Sequence, residues 1–371
     1  MKVVTVVGAR PQFIKLAPVS KALRVADGIK ETLVHTGQHY DKGLSEVFFE
    51  ELDIRSPNYH LDIGSSSHAQ QTGKMMIALE RILETEKPDW VLVYGDTNST
   101  LAGALAASKL NIRVAHVEAG LRSYNRRMPE ELNRILTDHA SDLLFSPTKV
   151  AQGNLIAEGI SKSKAIKVGD VMYDATLLFR EKAEKHSRIL ERLKLTSNDY
   201  ILATAHRAEN TDNVERLQAI FESLKMIGEK HQVVFPVHPR TEKVLEQHFG
   251  VIRSDSYKSL QLIAPVGYLD MLKLIGNAGL VLTDSGGIQK EAYFLKTLCI
   301  TLRDETEWVE LVDTGWNRIV PPRSTQDIVT AVEMVMGVAF KELTYPALYG
   351  DGKAAQKIAN AFTGQEPAVG G

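Results

Sequence analysis

With 371 residues, 44% hydrophobic and 24% charged, the chain has an ordinary globular composition and room for two domains. Its 44 Lys and Arg nearly balance 46 Asp and Glu, which argues against a nucleic-acid partner or an anionic membrane surface. One cysteine excludes an intrachain disulfide, and no apolar stretch approaches the roughly 20 residues of a membrane span.

The first residues, Met1-Lys2-Val3-Val4-Thr5-Val6-Val7-Gly8, read as a strand and not as a signal peptide, so a cytoplasmic protein is expected. Apolar, β-branched runs predict strands at residues 2–7, 31–35, 90–94, 113–117, 142–146 and 165–168, then at 200–205, 232–237, 260–263, 280–283, 298–302 and 318–320. Helical patterns lie between them, for example at 69–85 and 213–229. This alternation predicts an α/β fold whose mainly parallel sheets carry helices on both faces. The domain join is expected near 168–179, giving domains of 1–175 and 176–350, with a polar helical stretch at 180–195. A further helix is predicted at 353–361, before a small Gly/Pro-rich tail, 363–371, expected to be disordered. Cys299, in the apolar run 297–301, reads as a small buried hydrophobe and not as a nucleophile.

Polar signatures follow the strands directly. The first half has Gly8-Ala-Arg10-Pro, Thr36-Gly-Gln38-His39, Gly95-Asp96-Thr97-Asn98 and Glu118-Ala-Gly120. The second has His206-Arg207-Ala-Glu209-Asn210, His238-Pro-Arg240, Asp284-Ser-Gly-Gly287 and Arg303-Asp-Glu-Thr-Glu307. Ligands of open α/β sheets bind beyond the carboxyl ends of the strands, so two such halves facing each other would line one cleft. Any one of these residues, such as Thr97 or Asn98, also suits a helix cap.

The Ser285-Gly286-Gly287 turn opens a predicted helix, where close backbone approach and free N–H groups suit a diphosphate. Glu291 follows on that helix and can accept both hydroxyls of a ribose. Arg10 and Lys15, after the first strand, also suit phosphate. Asp96, Glu118 and Glu130 are carboxylates of the first half, the last on a helix opened by Pro129 that carries Arg134 one turn on. Carboxylates facing a diphosphate site are what proton chemistry near a good leaving group requires. Glycine-rich dinucleotide, Walker, zinc-protease and Asp-x-Asp signatures are missing, so no metal and no nucleotide cofactor is expected.

Six ordered motifs carry a resemblance: Gly8-Ala-Arg-Pro-Gln-x-Ile-Lys15, Gly95-Asp-Thr-Asn-Ser99, His116-Val-Glu-Ala-Gly-Leu-Arg122, Pro129-Glu-Glu-x-Asn-Arg134, His206-Arg-x-Glu-Asn210 and Asp284-Ser-Gly-Gly-x-Gln289. Together, over roughly residues 1 to 360, they resemble the non-hydrolysing UDP-N-acetylglucosamine 2-epimerases. The resemblance implies two Rossmann-like domains with an interdomain cleft, as in the B-type glycosyltransferases, with the C-terminal helix in 351–371 packing back on the first. It implies a UDP-sugar substrate, UDP as the departing group, neither metal nor nicotinamide, and a homodimer. The implied chemistry expels UDP from C1 while a base takes the C2 proton. UDP then adds back to the 2-acetamidoglucal with a proton delivered to the other face. Residue by residue, it implies that Arg10, Ser285, Gly286 and Gly287 hold the diphosphate and Glu291 the ribose. His206 neutralises the departing UDP or acts as its acid, Asp96, Glu118 and Glu130 handle proton transfer and sugar orientation, and Arg134 positions the acidic group or the substrate.

The chain also departs from the family pattern. Thr306-Glu-Trp-Val-Glu310 stands where many members read Thr-Glu-Arg-Pro-Glu, so Trp308 replaces a sugar-site arginine. Gln289-Lys290-Glu291 replaces Gln-Glu-Glu. With Arg126-Arg127-Met128, these changes look like the subfamily acting on UDP-2,3-diacetamido-2,3-dideoxyglucuronate, which supplies bacterial surface polysaccharide such as lipopolysaccharide O-antigen. The expectation is that Arg127 or Lys290 meets the sugar carboxylate and Trp308 packs near the 3-acetamido group. Gln38-His39-Tyr40-Asp41 replaces the Gln-His-Arg type of segment at a second UDP-sugar site, so weak or absent allosteric activation is expected. A glycosyltransferase of the same fold, a hydrolysing 2-epimerase and a nucleotide-sugar sensor are the competing readings.

Overall fold

The computed structural model describes residues 1–38, 49, 52–251, 257, 259–336 and 343–364. The residues His39-Tyr40-Asp41 and the tail beyond 364 lie outside the described residues. The chain forms two compact units, Met1–Leu178 with the segment from Ala347, and Phe179–Pro346.

The first unit holds seven strands: β1 (Lys2–Val7), β2 (Lys30–His35), β3 (Tyr59–His60), β4 (Trp90–Tyr94), β5 (Arg113–Val117), β6 (Leu143–Ser146) and β7 (Ala165–Lys167). They pair in parallel in the order β3-β2-β1-β4-β5-β6-β7. β1 is apolar almost throughout, with Val3, Val4, Val6 and Val7 all buried, because helices cover both faces of a parallel sheet. The helix Asn98–Lys109 starts at Thr97, whose hydroxyl accepts from the Thr100 N–H, so Thr97 is a helix cap. Pro129 opens the helix Pro129–Ala140, with Glu130 and Glu131 in its first turn, where acidic side chains favour the helix dipole.

The second unit holds β8 (Tyr200–Thr204), β9 (Gln232–Pro236), β10 (Leu260–Ile263), β11 (Leu280–Thr283), β12 (Cys299–Thr301) and β13 (Asn317–Ile319). Its parallel order is β10-β9-β8-β11-β12-β13. Cys299 is buried in β12, and burial pushes its thiol up to about 12 against a hydrogen bond from Thr301. A thiol held protonated at neutral pH is no nucleophile.

Two features depart from the sequence pattern. β3 has only two residues and neither is β-branched, so it gives no strand signal. The polar stretch 180–195 is divided between the end of the helix Val171–His186 and the short helix Ile189–Leu193. The unit boundary falls inside the first of these helices.

The C-terminal helix Ala354–Thr363 belongs to the first unit, where Phe362 stands edge-on to Trp90 and Phe145 at 5.6 and 6.0 Å. Asp174, 7% exposed, accepts from the free N–H groups of Ala354 and Ala355 at 3.1 and 2.8 Å. Burial lifts the Asp174 carboxyl from 3.8 to about 6, despite these two N–H groups and with help from Asp170 and Asp351. The native state therefore binds the proton more tightly than the unfolded chain. Stability from this group is full below about pH 4 and falls as pH rises to about 6. The expected result is that Asp174→Asn gains about 2–3 kcal/mol over the wild type between pH 4 and pH 7. Denaturant unfolding at both pH values checks it, and an unchanged difference contradicts it.

Candidate active site

In each sheet the strand order reverses at one point. The chain passes from β1 outward through β2 and β3, then returns to β4 on the other side of β1. In the second unit it passes from β8 through β9 and β10, then returns to β11. Such switch points open a crevice at the carboxyl ends of the strands. The candidate residues lie at these two places.

At the first switch point, Gln12 ties the loops together. Its carbonyl oxygen accepts from the Gly8 and Ala9 N–H groups at 2.8 and 3.0 Å, and its amide donates to the Tyr94 carbonyl and the Thr100 hydroxyl at 2.8 and 3.0 Å. A Cβ on Gly8 would stand 2.0 Å from the Thr36 hydroxyl and 2.3 Å from that of Ser99, so only glycine fits between β1 and its neighbours. Arg10 is exposed at the start of the next helix.

Asp96 follows β4 and is gripped by Arg134 at 2.5 Å. Arg134 also donates to Glu131 at 2.6 Å, and Asn133 donates to the Asp96 carbonyl at 2.9 Å. Glu131 is buried, and burial would raise its carboxyl. The Ser123 N–H and hydroxyl, the Tyr124 N–H and Arg134 outweigh this and hold it below the usual carboxylate range. Glu131 is thus a structural anchor for the 123–124 loop, while its neighbour Glu130 is exposed. Arg127 is exposed just before that helix.

Glu118 follows β5 with φ of +71°, in the left-handed region. For a residue with a Cβ this conformation costs about 1–3 kcal/mol, which marks a position held for a purpose. Its carboxylate pairs with Lys15, so Lys15 lies on a carboxylate of this cluster. The first unit therefore brings together two cation–carboxylate pairs, Asp96 with Arg134 and Glu118 with Lys15.

At the second switch point, the fully buried Asp284 gathers donors. It accepts from the His206 and Arg207 N–H groups at 2.9 and 3.0 Å and from the Asn210 amide at 3.1 Å. Its other oxygen lies 3.3 Å from His206 Nδ1, which aims the half-exposed imidazole. Ser285 precedes the helix Gly286–Phe294, whose first N–H groups have no partner within the helix. Gly286 is confined: a Cβ there would stand 2.4 Å from Glu307 Oε1 and 3.4 Å from Trp308 Nε1. The Trp308 indole N–H donates to the Gly286 carbonyl at 3.0 Å, and Lys290 Nζ sits 4.2 Å from the Trp308 ring centre. Both side chains are buried, so neither replacement is a surface change. Glu291 is buried one turn along the helix, and Gly287 is exposed at its start.

Sequence reasoning assigns no role of their own to Gln12, Asp138 and Asp284. Their signal is a polar residue at a helix or strand end, which sequence alone cannot separate from an exposed one. Among the described residues, no group of three or more His, Cys, Asp or Glu could hold a metal ion, and no helix is long and apolar enough to cross a membrane.

Two parallel α/β units, each with a switch-point crevice at the carboxyl ends of its strands, have the two-domain architecture of the B-type glycosyltransferase fold. The family model described as UDP-N-acetylglucosamine 2-epimerase matches residues 21–363. A UDP-N-acetylglucosamine 2-epimerase homolog from Methanococcus maripaludis is 54% identical, over 96% of this chain and 98% of its own length. The UDP-2,3-diacetamido-2,3-dideoxy-D-glucuronate 2-epimerase of Pseudomonas aeruginosa is 50% identical, over 97% and 98%. The crystal structure of Methanocaldococcus jannaschii UDP-GlcNAc 2-epimerase with UDP-GlcNAc and UDP superposes with a TM-score of 0.87 at 46% identity, covering 98% of this chain and 99% of that one. The chain belongs to the UDP-N-acetylglucosamine 2-epimerase family and is an isomerase, a UDP-sugar 2-epimerase.

Replacing Asp284 by Ala takes the acceptor from the His206 and Arg207 N–H groups and one of two acceptors from the Asn210 amide. The expected loss is about 2–4 kcal/mol of unfolding free energy, with Asp284→Asn losing roughly half of that. Denaturant melts check this, and a loss below about 0.5 kcal/mol contradicts the anchoring role.

Proposed function

We propose that the chain inverts C2 of UDP-2,3-diacetamido-2,3-dideoxyglucuronate, giving the mannuronate epimer for surface polysaccharide, and works as a homodimer. The observation that carries the choice of sugar is the buried Lys290–Trp308 pair beside Gly286. It puts a cation and an apolar wall beside the anion-binding turn, where an acidic, doubly acetamidated sugar needs both. The 50% identity to the Pseudomonas aeruginosa enzyme supports the same reading.

The diphosphate takes the N–H groups of Ser285, Gly286 and Gly287 together with Arg10, and the ribose takes Glu291. A carboxylate of the set Asp96, Glu118 and Glu130 removes the C2 proton as the C1–O bond breaks. The electron pair of the C2–H bond forms the C1=C2 double bond, and the C1–O pair leaves with UDP. His206, aimed by Asp284, neutralises the charge on UDP. Return of a proton to the opposite face of C2, with UDP re-attaching at C1, completes the inversion. Lys15 pairs with Glu118 and Arg134 with Asp96, which fixes where two of these carboxylates stand.

A second reading, conversion of UDP-N-acetylglucosamine to UDP-N-acetylmannosamine, is favoured by relatives of that name at 46% and 45% identity. Parallel turnover of the two sugars decides. The expected result is a kcat/KM about tenfold or more higher for the acidic sugar, since its carboxylate gains a charge-assisted contact. Faster turnover of plain UDP-N-acetylglucosamine overturns the substrate choice. Arg127→Ala or Lys290→Met is expected to cost about 10–100-fold with the acidic sugar and less than about threefold with the neutral one.

A further inference from the structure

His116 lies in β5 and is fully buried. Its Nδ1 is 2.7 Å from Asp138 Oδ1 and its Nε2 is 2.7 Å from the Gly95 carbonyl oxygen. A carbonyl can only accept, so Nε2 carries a proton. A neutral ring would then need Asp138 to donate to Nδ1. Asp138 is occupied as an acceptor on its other oxygen, from the Gly120 N–H at 3.1 Å and Arg122 Nη1 at 2.7 Å. Burial pushes the Asp138 carboxyl up, but His116 and then Arg122 hold it below the usual range. Both ring nitrogens therefore face acceptors, and the buried charges close as a set: Asp138 between His116 and Arg122, with Glu158 on the far side of Arg122 at 2.7 Å.

The two bonds of His116 join three elements. Gly95 is the residue before Asp96. His116 itself is two residues before Glu118. Asp138 is on the helix Pro129–Ala140, one turn beyond Arg134, which grips Asp96 at 2.5 Å. A closed circuit runs from Asp96 through Arg134, along the helix to Asp138, across His116 to Gly95, and back to Asp96.

We propose that His116 is a doubly protonated imidazolium at neutral pH and the positioning residue that fixes Asp96, Glu118 and Glu130 relative to one another for proton transfer at C2. The positioning half rests on the epimerase reading. The charge half rests on hydrogen bonding alone.

Histidine 15N–1H correlation spectra of the full chain test the charge, with His116 assigned by the signals lost in His116→Gln. Two ring N–H signals at neutral pH are expected, and a single one overturns the imidazolium. Steady-state kinetics test positioning. His116→Asn keeps a donor toward Asp138 and His116→Gln keeps one toward Gly95. Each is expected to lose about 10–100-fold in kcat with KM within about threefold. UDP affinity is expected to be unchanged, because His116 bonds to Asp138 and Gly95 and to none of the residues proposed to hold UDP. A kcat within about twofold of wild type in both variants overturns positioning. Should both variants prove unfolded by circular dichroism, Asp138→Asn, which keeps His116 in place, takes over the kinetic test: a loss of about 10–100-fold in kcat supports positioning, and a kcat within about twofold of wild type overturns it. If the wild type turns over no UDP-2-acetamido sugar, the epimerase reading fails and takes the positioning half with it, while the ring signals still decide the charge.

Discussion

A buried carboxylate at the strand ends of each sheet holds the loops proposed to carry the chemistry. Parallel strands put all their carboxyl ends on one edge, where loop N–H groups turn inward and need acceptors. Asp284 meets that need in the second unit, taking two backbone N–H groups and the Asn210 amide. Asp138 meets it in the first, taking the Gly120 N–H, Arg122 and His116. Each anchor is fully buried and hydrogen-bonded on both oxygens, so removing it strands several donors at once. The residues proposed for catalysis hang from these anchors. His206 is aimed by Asp284, and Asp96 and Glu118 sit on elements tied through Asp138 and His116.

The paired charges of the first unit make chemical sense as a set. Asp96 is paired with Arg134 and Glu118 with Lys15, so each carboxylate is held in place by a cation. The positive φ of Glu118 is strain at the same place. The second unit offers the opposite polarity, a helix start backed by the Lys290 ammonium and the Trp308 ring.

The α/β class was legible because buried parallel strands must be apolar nearly throughout, as in β1 and β11, and polar residues collect after them. β3 was not legible, since Tyr59-His60 is too short and too polar to show a strand pattern. The motif residues marked the two edges, but partners did not show. Lys15 reads as a phosphate ligand in the sequence, and only the fold brings it to Glu118, 103 residues away. Likewise Trp308 stands out as a replaced arginine, yet its indole bond to the Gly286 carbonyl depends on the turn between β12 and the helix that follows it. Short-range pattern reports burial, whereas pairing across the sheet is a tertiary fact.

Elimination and re-addition of UDP requires that the C2 hydrogen be lost to a protein group and replaced by one that has met solvent. Turnover of the UDP-2-acetamido sugar in heavy water, followed by proton NMR at C2, measures this directly. Deuterium at C2 of the epimerised product, with UDP-sugar retained and no free sugar released, is the expected result. An inverted product that keeps its original C2 hydrogen, or release of UDP and free sugar, contradicts it.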